Sequence, residues 1–410
     1  MSRNLQQSGD FIGGFSDFQM QLLATMRQYG VAGLLLGFGL FWSVGGVLLT
    51  PSMKFYIWLI AAFVYLPSIC LLIARFGDLR ATLTSRPQLW LFLFLFVWAL
   101  ISLRWSNGDE SHMVIVKRQL LLLSMVLGWV VWGRVFNRQL QTLLIIWGGM
   151  AGIYSLVALI AYPIRHLERI IGFGSFMDNP NPAGYTIGFL LVLSCTWWPQ
   201  RNAPRLVWAF LQACSLAFVI MTGSRGPLLS LIAVACVVML AGTHRSYRWI
   251  ALSLLAAAGA LFLLEPSLLQ RGDSERLELI KGALALIQQH PWAGVGLSGT
   301  YAVSAGGEIF DHCHNFILDT AVQYGVPFTA LWLVCWSWAG ARAWRYRNQA
   351  LGMAVLMGWV FATVALQFDV FTLFGRARAM WMVVWVPFLL CLCLGKVEAV
   401  KATRGAARSV

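Results

Sequence analysis

Apolar stretches of roughly 15–23 residues recur along almost the whole chain, close to the length with which a helix crosses a bilayer. In lipid the backbone must satisfy its own hydrogen bonds, so only helices and closed barrels span a membrane. A barrel would need short segments of alternating polarity, and these are absent. The apolar stretches therefore predict an all-α integral membrane protein.

The composition agrees with this class. Hydrophobic residues make up 59% of the 410 residues and charged residues only 11%, with a mean hydropathy of +0.71. Soluble domains usually carry about 25% charged residues. Length arguments that hold for soluble domains therefore do not apply to this chain.

We predict about twelve transmembrane helices in a single polytopic domain of residues 1–410. The longest polar interruption, residues 265–325, lies between the ninth and tenth helices and is predicted to be a helical segment on one side of the membrane. The twelve apolar runs are 31–49, 55–73, 89–103, 119–132, 140–162, 183–198, 206–221, 228–240, 249–264, 326–339, 351–366 and 379–394.

The charges divide unequally between the two sides that these helices define. The whole formal charge of +14 falls on the side that holds both termini, and the other side sums to zero. Because cytoplasmic loops carry the excess of Lys and Arg, both termini are predicted to be cytoplasmic and segment 265–325 external. The basic balance then reflects topology, with membrane lipids rather than nucleic acid as partners.

The external segment contains two predicted helices. Asp273 or Ser274 is suited to begin the first, and Pro291 to end it. An apolar stripe at helical spacing, formed by Leu277, Ile280, Leu284 and Ile287, predicts its buried face. The second helix is expected to begin near His314 and to end at Tyr324–Gly325.

One candidate anion site is the external turn "MTGSRGP", residues 221–227. Two glycines allow close backbone approach, and Pro227 suits the first turn of the next helix. A helix N-terminus beside Arg225 attracts anions. Alternatively, Arg225 only extends to the outer lipid headgroups.

Arg276 begins the first external helix, and Lys281 follows on the same helix. An arginine side chain presents a fork of donors that matches two phosphate oxygens. The alternative is that Arg276 pairs with Glu275 or Glu278 on a solvated face.

The stretch "MDNPNPAG", residues 177–184, leads into the sixth apolar run. Asn–Pro pairs start turns, and Pro182 suits a helix start. The stretch is therefore either a rigid loop-to-helix junction or a place where Asn181 contacts a sugar.

The stretch "DHCHN", residues 311–315, offers three chemistries. His312 and His314 stand two residues apart, so they do not share a face on a helix but can do so on an extended stretch. Zinc would need three or four tetrahedral ligands, and no paired metal motif is present. Histidine also titrates near neutral pH and suits proton removal from a hydroxyl. A metal site, a structural histidine and a general base all remain open.

Taken in order, these pieces resemble the bacterial O-antigen ligase and polymerase superfamily. The resemblance rests on "NPN" before one span, "SRG" after another, "RLELIKGALALIQQHPWAGVGLSGTY" and "HNFILDTAVQYGVPF". It covers roughly residues 177–328 by motif and the whole chain by topology. Phe328 departs from the pattern, since a glycine is common there.

The resemblance implies an O-antigen ligase, a GT-C-type glycosyltransferase of the bacterial inner membrane with a periplasmic active site. Its donor would be a glycan on undecaprenyl pyrophosphate and its acceptor a sugar hydroxyl of lipid A–core. It implies His314 as base with inversion at the anomeric carbon, Arg225 and Arg276 on the pyrophosphate, and no metal or other cofactor. Further substrate contacts are expected from Lys281, His312, Asn315 and Asn181.

Other functions stay open at this point. An O-antigen polymerase would use the same donor and differ mainly in acceptor, and a relative that glycosylates proteins is a third reading. A polysaccharide or lipid transporter would favour internal repeats and charges at mid-membrane, which the sequence lacks.

Overall fold

A computed structural model describes most of the chain, and most described residues are helical. The described residues are 31, 34–39, 41–50, 52–86, 88–133, 137–165, 168–174, 176–241, 248–249, 251–253, 255–256, 259, 275–368, 373–375 and 381–394. The ninth predicted helix lies largely outside this part of the chain, as do Asp273 and Ser274.

The helices are numbered along the chain. The first five are α1 (Leu34–Leu49), α2 (Met53–Ile60), α3 (Leu66–Ala74), α4 (Phe76–Ser85) and α5 (Gln88–Ile101). The next five are α6 (His112–Gly133), α7 (Asn137–Arg165), α8 (Pro180–Ser194), α9 (Asn202–Met221) and α10 (Arg225–Ala241). The last five are α11 (Arg276–Gln289), α12 (Phe316–Tyr324), α13 (Val326–Arg345), α14 (Ala350–Ala365) and α15 (Trp381–Cys393).

Several of these helices suit a membrane. Four are long and apolar enough to cross one: 53–74, which joins α2 and α3 through a π-helical turn, 112–132 in α6, 140–165 in α7, and α9. Shorter apolar helices include α1, α10, α14 and part of α15. The structure thus agrees with an all-α membrane protein, while the number of twelve spans stays a prediction.

The centre of the bundle is the pair α8 and α14. The rings of Phe189 and Phe361 lie 6.2 Å apart, and glycines at 188 and 358 let the two helices approach closely. Gly188 lies opposite Phe361. Leu193, further along α8, lies opposite Gly358, which comes earlier in α14. The helices are therefore antiparallel, and the start of α8 lies beside the end of α14.

Helix α10 joins this pair at the same end. A Cβ at Gly184, near the start of α8, would lie 3.0 Å from the ring of Pro227, near the start of α10. The starts of α8 and α10 and the end of α14 thus meet, and this region is called the site end of the bundle below.

Contacts between loops respect the two predicted sides. Asn107, after α5, exchanges two hydrogen bonds with the backbone of Thr300, of 2.9 and 3.1 Å. On the opposite side Arg86 and Arg342 donate to the carbonyls of Leu392 and Leu394 at the end of α15. Loops assigned to the same side by the charge count therefore bind one another.

The external segment folds as α11, a hairpin and α12. The hairpin pairs β1 (Val303–Ala305) with β2 (Glu308–Phe310) in antiparallel register. Its turn is Gly306–Gly307, with φ of 57° and 83°. Such a Gly–Gly turn is a hairpin signal. Neither this hairpin nor α4 is among the predicted elements.

The predicted apolar stripe of α11 is only partly buried, because Ile280 and Ile287 are half-buried and the two leucines are exposed. Leu277 and Leu284 are 53% and 46% exposed, whereas Leu279 and Ala283 are buried. Leu279 packs in a cluster with Val303 of the hairpin, and Ala283 packs in a cluster with residues of the 313–322 region. The hairpin and α12 cover one side of α11, and that tertiary contact selects the buried face.

The "GVG" turn follows α11 and is hydrogen-bonded to the end of α12. The N–H groups of Val295 and Gly296 donate to the carbonyls of Val322 and Gln323, at 2.9 and 2.8 Å. They satisfy carbonyls at the end of α12 that have no partner within the helix. A side chain at Gly294, whose φ is 62°, would collide with that backbone.

Candidate functional site

Two external loops meet at the site end of the bundle, and Arg169 joins them. Its Nε donates to the carbonyl of Thr222 at 2.6 Å, and its Nη2 donates to Oδ1 of Asn181 at 3.3 Å. The Ser224 hydroxyl donates to the same Oδ1 at 2.9 Å. The "NPN" and "SRG" motifs are therefore parts of one connected structure.

Asn181 thus has a structural task. Its Oδ1 accepts from both Arg169 and Ser224, and its backbone N–H donates to Oδ1 of Asn179 at 2.9 Å, which caps α8. The geometry favours the rigid-junction reading of this loop. A contact between Asn181 and a sugar stays a prediction.

The turn before α10 is tight because its glycines have no side chain. Gly223 has a φ of 58°, and a Cβ at Gly226 would occupy the position of the Tyr185 hydroxyl. The side chain of Arg225 is half-buried at the first residue of α10. It therefore lies beside the positive end of a helix dipole, as an anion site requires.

Replacing Gly226 with alanine is expected to destabilise the protein by about 1–3 kcal/mol, because the added methyl overpacks the contact between α8 and α10. The measurement is the midpoint of thermal unfolding in detergent. Tyr185→Phe in the same chain should recover part of the loss, since it removes the hydroxyl that the methyl meets. An unchanged midpoint in Gly226→Ala would contradict the packing described here.

Arg276 lies against the residues that follow α14. Its Cζ sits 5.0 Å from the centre of the Phe368 ring, and Nη2 donates to the Phe368 carbonyl at 3.5 Å. This cation–π contact holds the guanidinium group of Arg276 against the Phe368 ring. Arg276 is thereby placed at the site end of the bundle.

The predicted alternative, pairing with a neighbouring glutamate, is not what the described residues show. Glu278 accepts from the backbone N–H of Gly306 at 2.7 Å, and the Glu275 carboxylate also lies beside Gly306. Both carboxylates thus point at the hairpin turn. Lys281 is exposed and lies roughly 140° around α11 from Arg276 at 3.6 residues per turn, so its contact with substrate stays a prediction.

Asn315 connects the start of α12 to the residues that follow α14. Its Oδ1 accepts from the N–H groups of Ile317 and Leu318, both at 3.0 Å, and so caps α12. Its Nδ2 donates to Oε1 of Gln367 at 3.2 Å. Both ends of the amide are engaged within the protein, which makes Asn315 a positioning residue in this structure.

Residues 366–368 therefore connect the two external helices to the bundle. The Phe316 N–H donates to the Leu366 carbonyl at 2.9 Å, Gln367 binds Asn315, and Phe368 carries Arg276. One short loop at the end of α14 thus brings Arg276 and the "DHCHN" stretch into the same region.

The two histidines of that stretch face each other. Their ring centres lie 4.0 Å apart, and His314 has a φ of 49°, in the left-handed region. Nδ1 of His312 lies 2.6 Å from a carboxylate oxygen of Asp311. The left-handed backbone at His314 brings together two side chains that would not share one face of a helix.

The cysteine between them takes no part in this pair. Cys313 is buried, with its Sγ 3.5 Å from the Tyr301 hydroxyl. Among the described residues, no group of three or more His, Cys, Asp and Glu side chains could hold a metal ion. The described geometry thus joins Asp311, His312 and His314 and leaves Cys313 on the other side.

A buried carboxyl group lies one turn further on. Asp319 accepts from the Tyr301 hydroxyl through Oδ1 and from Nε2 of Gln323 through Oδ2, the second at 3.2 Å. Burial raises the pKa of Asp319 to about 8, against the opposing effect of the Tyr301 hydrogen bond. The group is therefore largely protonated at neutral pH and fixes α12 against the turn that carries Tyr301.

Asp319 predicts how stability depends on pH. Its pKa is raised from 3.8 to about 8 on folding, so between these values the unfolded chain loses a proton that the folded chain keeps. The free energy of unfolding should then fall as pH rises, by up to about 1.4 kcal/mol per pH unit, and level off above pH 8. Asp319→Asn should flatten this slope in thermal unfolding between pH 5 and 9.

The control for that experiment is Glu308→Gln, which removes an exposed carboxylate of the hairpin and should keep the native slope. Equal slopes in the native protein and in Asp319→Asn would show that this carboxyl group does not carry the pH dependence.

The structure brings three sequence-predicted residues to one end of the bundle. Arg225 begins α10. Arg276, the first residue of α11, packs against the loop after α14. His314 precedes α12, which is hydrogen-bonded to the same loop. Sequence reasoning missed Arg169, although the argument used for Arg225, an external arginine beside a motif, applies to it equally. It also missed Asp319. A carboxylate within an otherwise apolar stretch of sequence could have indicated this residue.

Two comparisons with known proteins agree with this arrangement. The model of the family described as O-antigen ligase matches residues 210–333, which include Arg225, Arg276 and His314. The curated O-antigen ligase of Pseudomonas aeruginosa strain PAO1 is 29% identical over 335 residues, covering 78% of this chain and 81% of the relative.

Both matches point to the same family, and the residues they include lie at the site end of the bundle. This chain is therefore similar to the O-antigen ligase family, and the similarity supports a membrane enzyme of the glycosyltransferase type.

Proposed function

We propose that this chain is an O-antigen ligase of lipopolysaccharide biosynthesis. It transfers a glycan from undecaprenyl pyrophosphate to a sugar hydroxyl of lipid A–core. The observation that supports the proposal is that the elements carrying Arg225, Arg276 and His314 lie at the same end of the bundle, through α10 and the loop after α14. Two cationic groups and one base are what such a transfer needs.

The arginines act on the leaving group. Cleavage of the glycosidic bond places negative charge on the departing pyrophosphate, and fixed cations stabilise that charge. Arg225 contributes together with the start of α10. Arg276 contributes a guanidinium already oriented by Phe368, so little ordering is needed when the donor binds.

His314 acts on the acceptor. It removes the proton from the sugar hydroxyl as the oxygen attacks the anomeric carbon, and His312 packs against its ring. The carbon–oxygen bond to pyrophosphate breaks as the new glycosidic bond forms, which inverts the anomeric configuration. The mechanism uses no metal ion or other cofactor, and further substrate contacts come from Lys281.

The topology completes the proposal. The chain has twelve transmembrane helices of the GT-C kind in one domain, residues 1–410, with the helical segment 265–325 in the periplasm. Both termini lie in the cytoplasm of a bacterium, and the protein resides in the inner membrane. The separation of loop contacts into two sets, with Asn107–Thr300 on one side and Arg342–Leu394 on the other, supports this sidedness.

Reconstitution tests the function. Purified protein is mixed with glycan on undecaprenyl pyrophosphate and with lipid A–core in the presence of EDTA, and the products are separated on a gel. Glycan on lipid A–core is the expected result. Longer glycans that stay on undecaprenyl pyrophosphate would instead mean a polymerase, and movement of unaltered donor across the bilayer would mean a transporter. Transfer that returns only with added zinc or magnesium would contradict the metal-free mechanism.

A further inference from the structure

A cavity of about 610 Å³ lies between α8, α9 and the start of the ninth apolar run, and neither the sequence motifs nor the proposed mechanism uses it. On α8 its lining runs from Leu191 to Trp198, just beyond the end of the helix. On α9 its lining runs from Arg205 to Leu216. Helix α8 begins at the site end of the bundle and ends at this cavity, so the cavity is separate from the proposed catalytic residues.

The cavity has the length of one lipid leaflet. Arg205 and Leu216 are separated by about three turns of α9, which is about 16 Å at 1.5 Å per residue. One leaflet contributes about half of a hydrocarbon core that is ~30 Å thick. The volume also lies within the range of roughly 300–1,000 Å³ found for pockets that enclose most of a drug-sized molecule. An acyl chain that enters beside Arg205 would therefore reach the level of Leu216.

The two ends of the cavity differ in polarity. Trp198 and Trp249 line it and belong to the same predicted side of the membrane as Arg205. Tryptophan side chains are enriched at the depth of the lipid headgroups, so these residues mark the level of the membrane surface. Leu191 and Leu216 line the cavity further from that surface. This combination matches a lipid, with a polar headgroup at one end and an apolar chain behind it.

Arg205 is held at the polar end by the loop that precedes α9. Its Nε donates to the carbonyl of Pro199 at 3.1 Å, and its Nη2 donates to the carbonyl of Gln200 at 3.0 Å. These bonds use two of the five N–H donors that a guanidinium group offers. The residue is also exposed. The backbone thus orients a guanidinium group that can bind a phosphate oxygen with its further donors.

The loops at the polar end are basic. The loop 199–205 contains Arg201 and Arg205, and the loop 241–248, which leads to Trp249, contains Arg245 and Arg248. Neither loop contains an aspartate or a glutamate. The charge count assigns both loops to the cytoplasmic side, where anionic phospholipids attract Lys and Arg near the membrane surface. The charge therefore favours an anionic phospholipid over one without net charge.

We propose that this cavity binds one acyl chain of an anionic phospholipid from the cytoplasmic leaflet, with the lipid phosphate at Arg205. The lipid fills the space between α8, α9 and the ninth apolar run, and a ligand that binds only the folded chain stabilises it. The donor pyrophosphate is not the ligand of Arg205, because it is proposed to act at the site end, on the opposite predicted side of the membrane.

The first test fills the cavity and measures lipid binding to the full chain in detergent by native mass spectrometry. The probe is dioleoylphosphatidylglycerol. Ala213→Trp places a large ring at a residue that lines the cavity, and it should weaken binding at least about 10-fold, because each buried CH₂ group that is displaced costs affinity. Val207→Trp is the matched control. It adds the same ring to a residue of α9 that is 60% exposed and outside the lining, and binding should stay at the native level.

The second test removes the charge. Arg205→Gln should weaken binding of dioleoylphosphatidylglycerol about 5-fold, the value of one cation near an anionic surface. Binding of dioleoylphosphatidylcholine, which has the same chains and no net charge, should not change. Arg80→Gln removes an exposed arginine of α4 on the same predicted side and should affect neither lipid. Because Arg205 is exposed, its variant keeps the test decisive should Ala213→Trp fail to fold.

Three outcomes would overturn the proposal. Native binding of phosphatidylglycerol by Ala213→Trp would place the lipid elsewhere on the protein. Equal binding of the two phospholipids by the native chain would remove the role of Arg205. If Ala213→Trp lost binding of undecaprenyl phosphate and kept that of phosphatidylglycerol, the cavity would hold an isoprenoid chain. These measurements use no glycan transfer, so their failure is distinguishable from failure of the proposed function.

Discussion

Replacing His314 with alanine is expected to reduce the rate of glycan transfer about 10²- to 10⁴-fold, the usual contribution of a positioned general base. His314 is held in a left-handed backbone conformation with its ring against that of His312. The backbone conformation and this ring contact therefore define where the His314 side chain lies. The rate is measured at saturating donor and acceptor in the reconstituted system.

The matched control is His290→Ala. His290 is an exposed histidine of the same external segment, at the end of α11, and its removal should leave the rate within about two-fold. His312→Ala should give an intermediate loss, because it removes only the neighbour of the base. If His314→Ala kept more than a tenth of the native rate, the base would have to be another residue.

Replacing Arg276 with alanine is the second large effect, with an expected loss in kcat of about 10²- to 10³-fold. The cause is the loss of a cation opposite the charge that develops on pyrophosphate. Arg276→Lys should recover only part of this loss. Lysine keeps the charge, but it lacks both the fork of donors and the flat group that stacks on Phe368.

The control here is Arg104→Ala, which removes an exposed arginine from the 3₁₀ turn Ser102–Arg104 that follows α5, on the same predicted side of the membrane. Its rate should stay near the native one. The Arg276 variants should leave KM for lipid A–core unchanged, since the acceptor is bound elsewhere. A loss that appeared only in the acceptor KM would refute the assignment of Arg276 to the donor.

Much of the fold could be predicted from local patterns. Most of the predicted runs overlap described helices, because apolar length and capping residues act within one segment. Both external helices also occur where Pro291 and the "HN" pair predict their ends, at Gln289 and Phe316. The buried face of α11 could not be predicted in this way, since the hairpin that covers Leu279 is distant in sequence.

The candidate site shows the same division. Arg225, Arg276 and His314 could be selected because each combines a reactive side chain with an unusual local setting. Their partners could not. Arg169 and Phe368 act through contacts across more than fifty residues of sequence, and no local pattern marks such a pairing.

The sequence by itself determined the membrane class, and it predicted the two sides of the chain and the residues proposed for the transfer. These follow from hydrophobic length, charge bias and side-chain chemistry, which are properties of single segments. Only the tertiary structure decided that the side chains of Asn181 and Asn315 bind other parts of the protein and that the His314 ring lies against that of His312. Such properties depend on which segments pack together, and close packing of distant segments leaves no signature in any one of them.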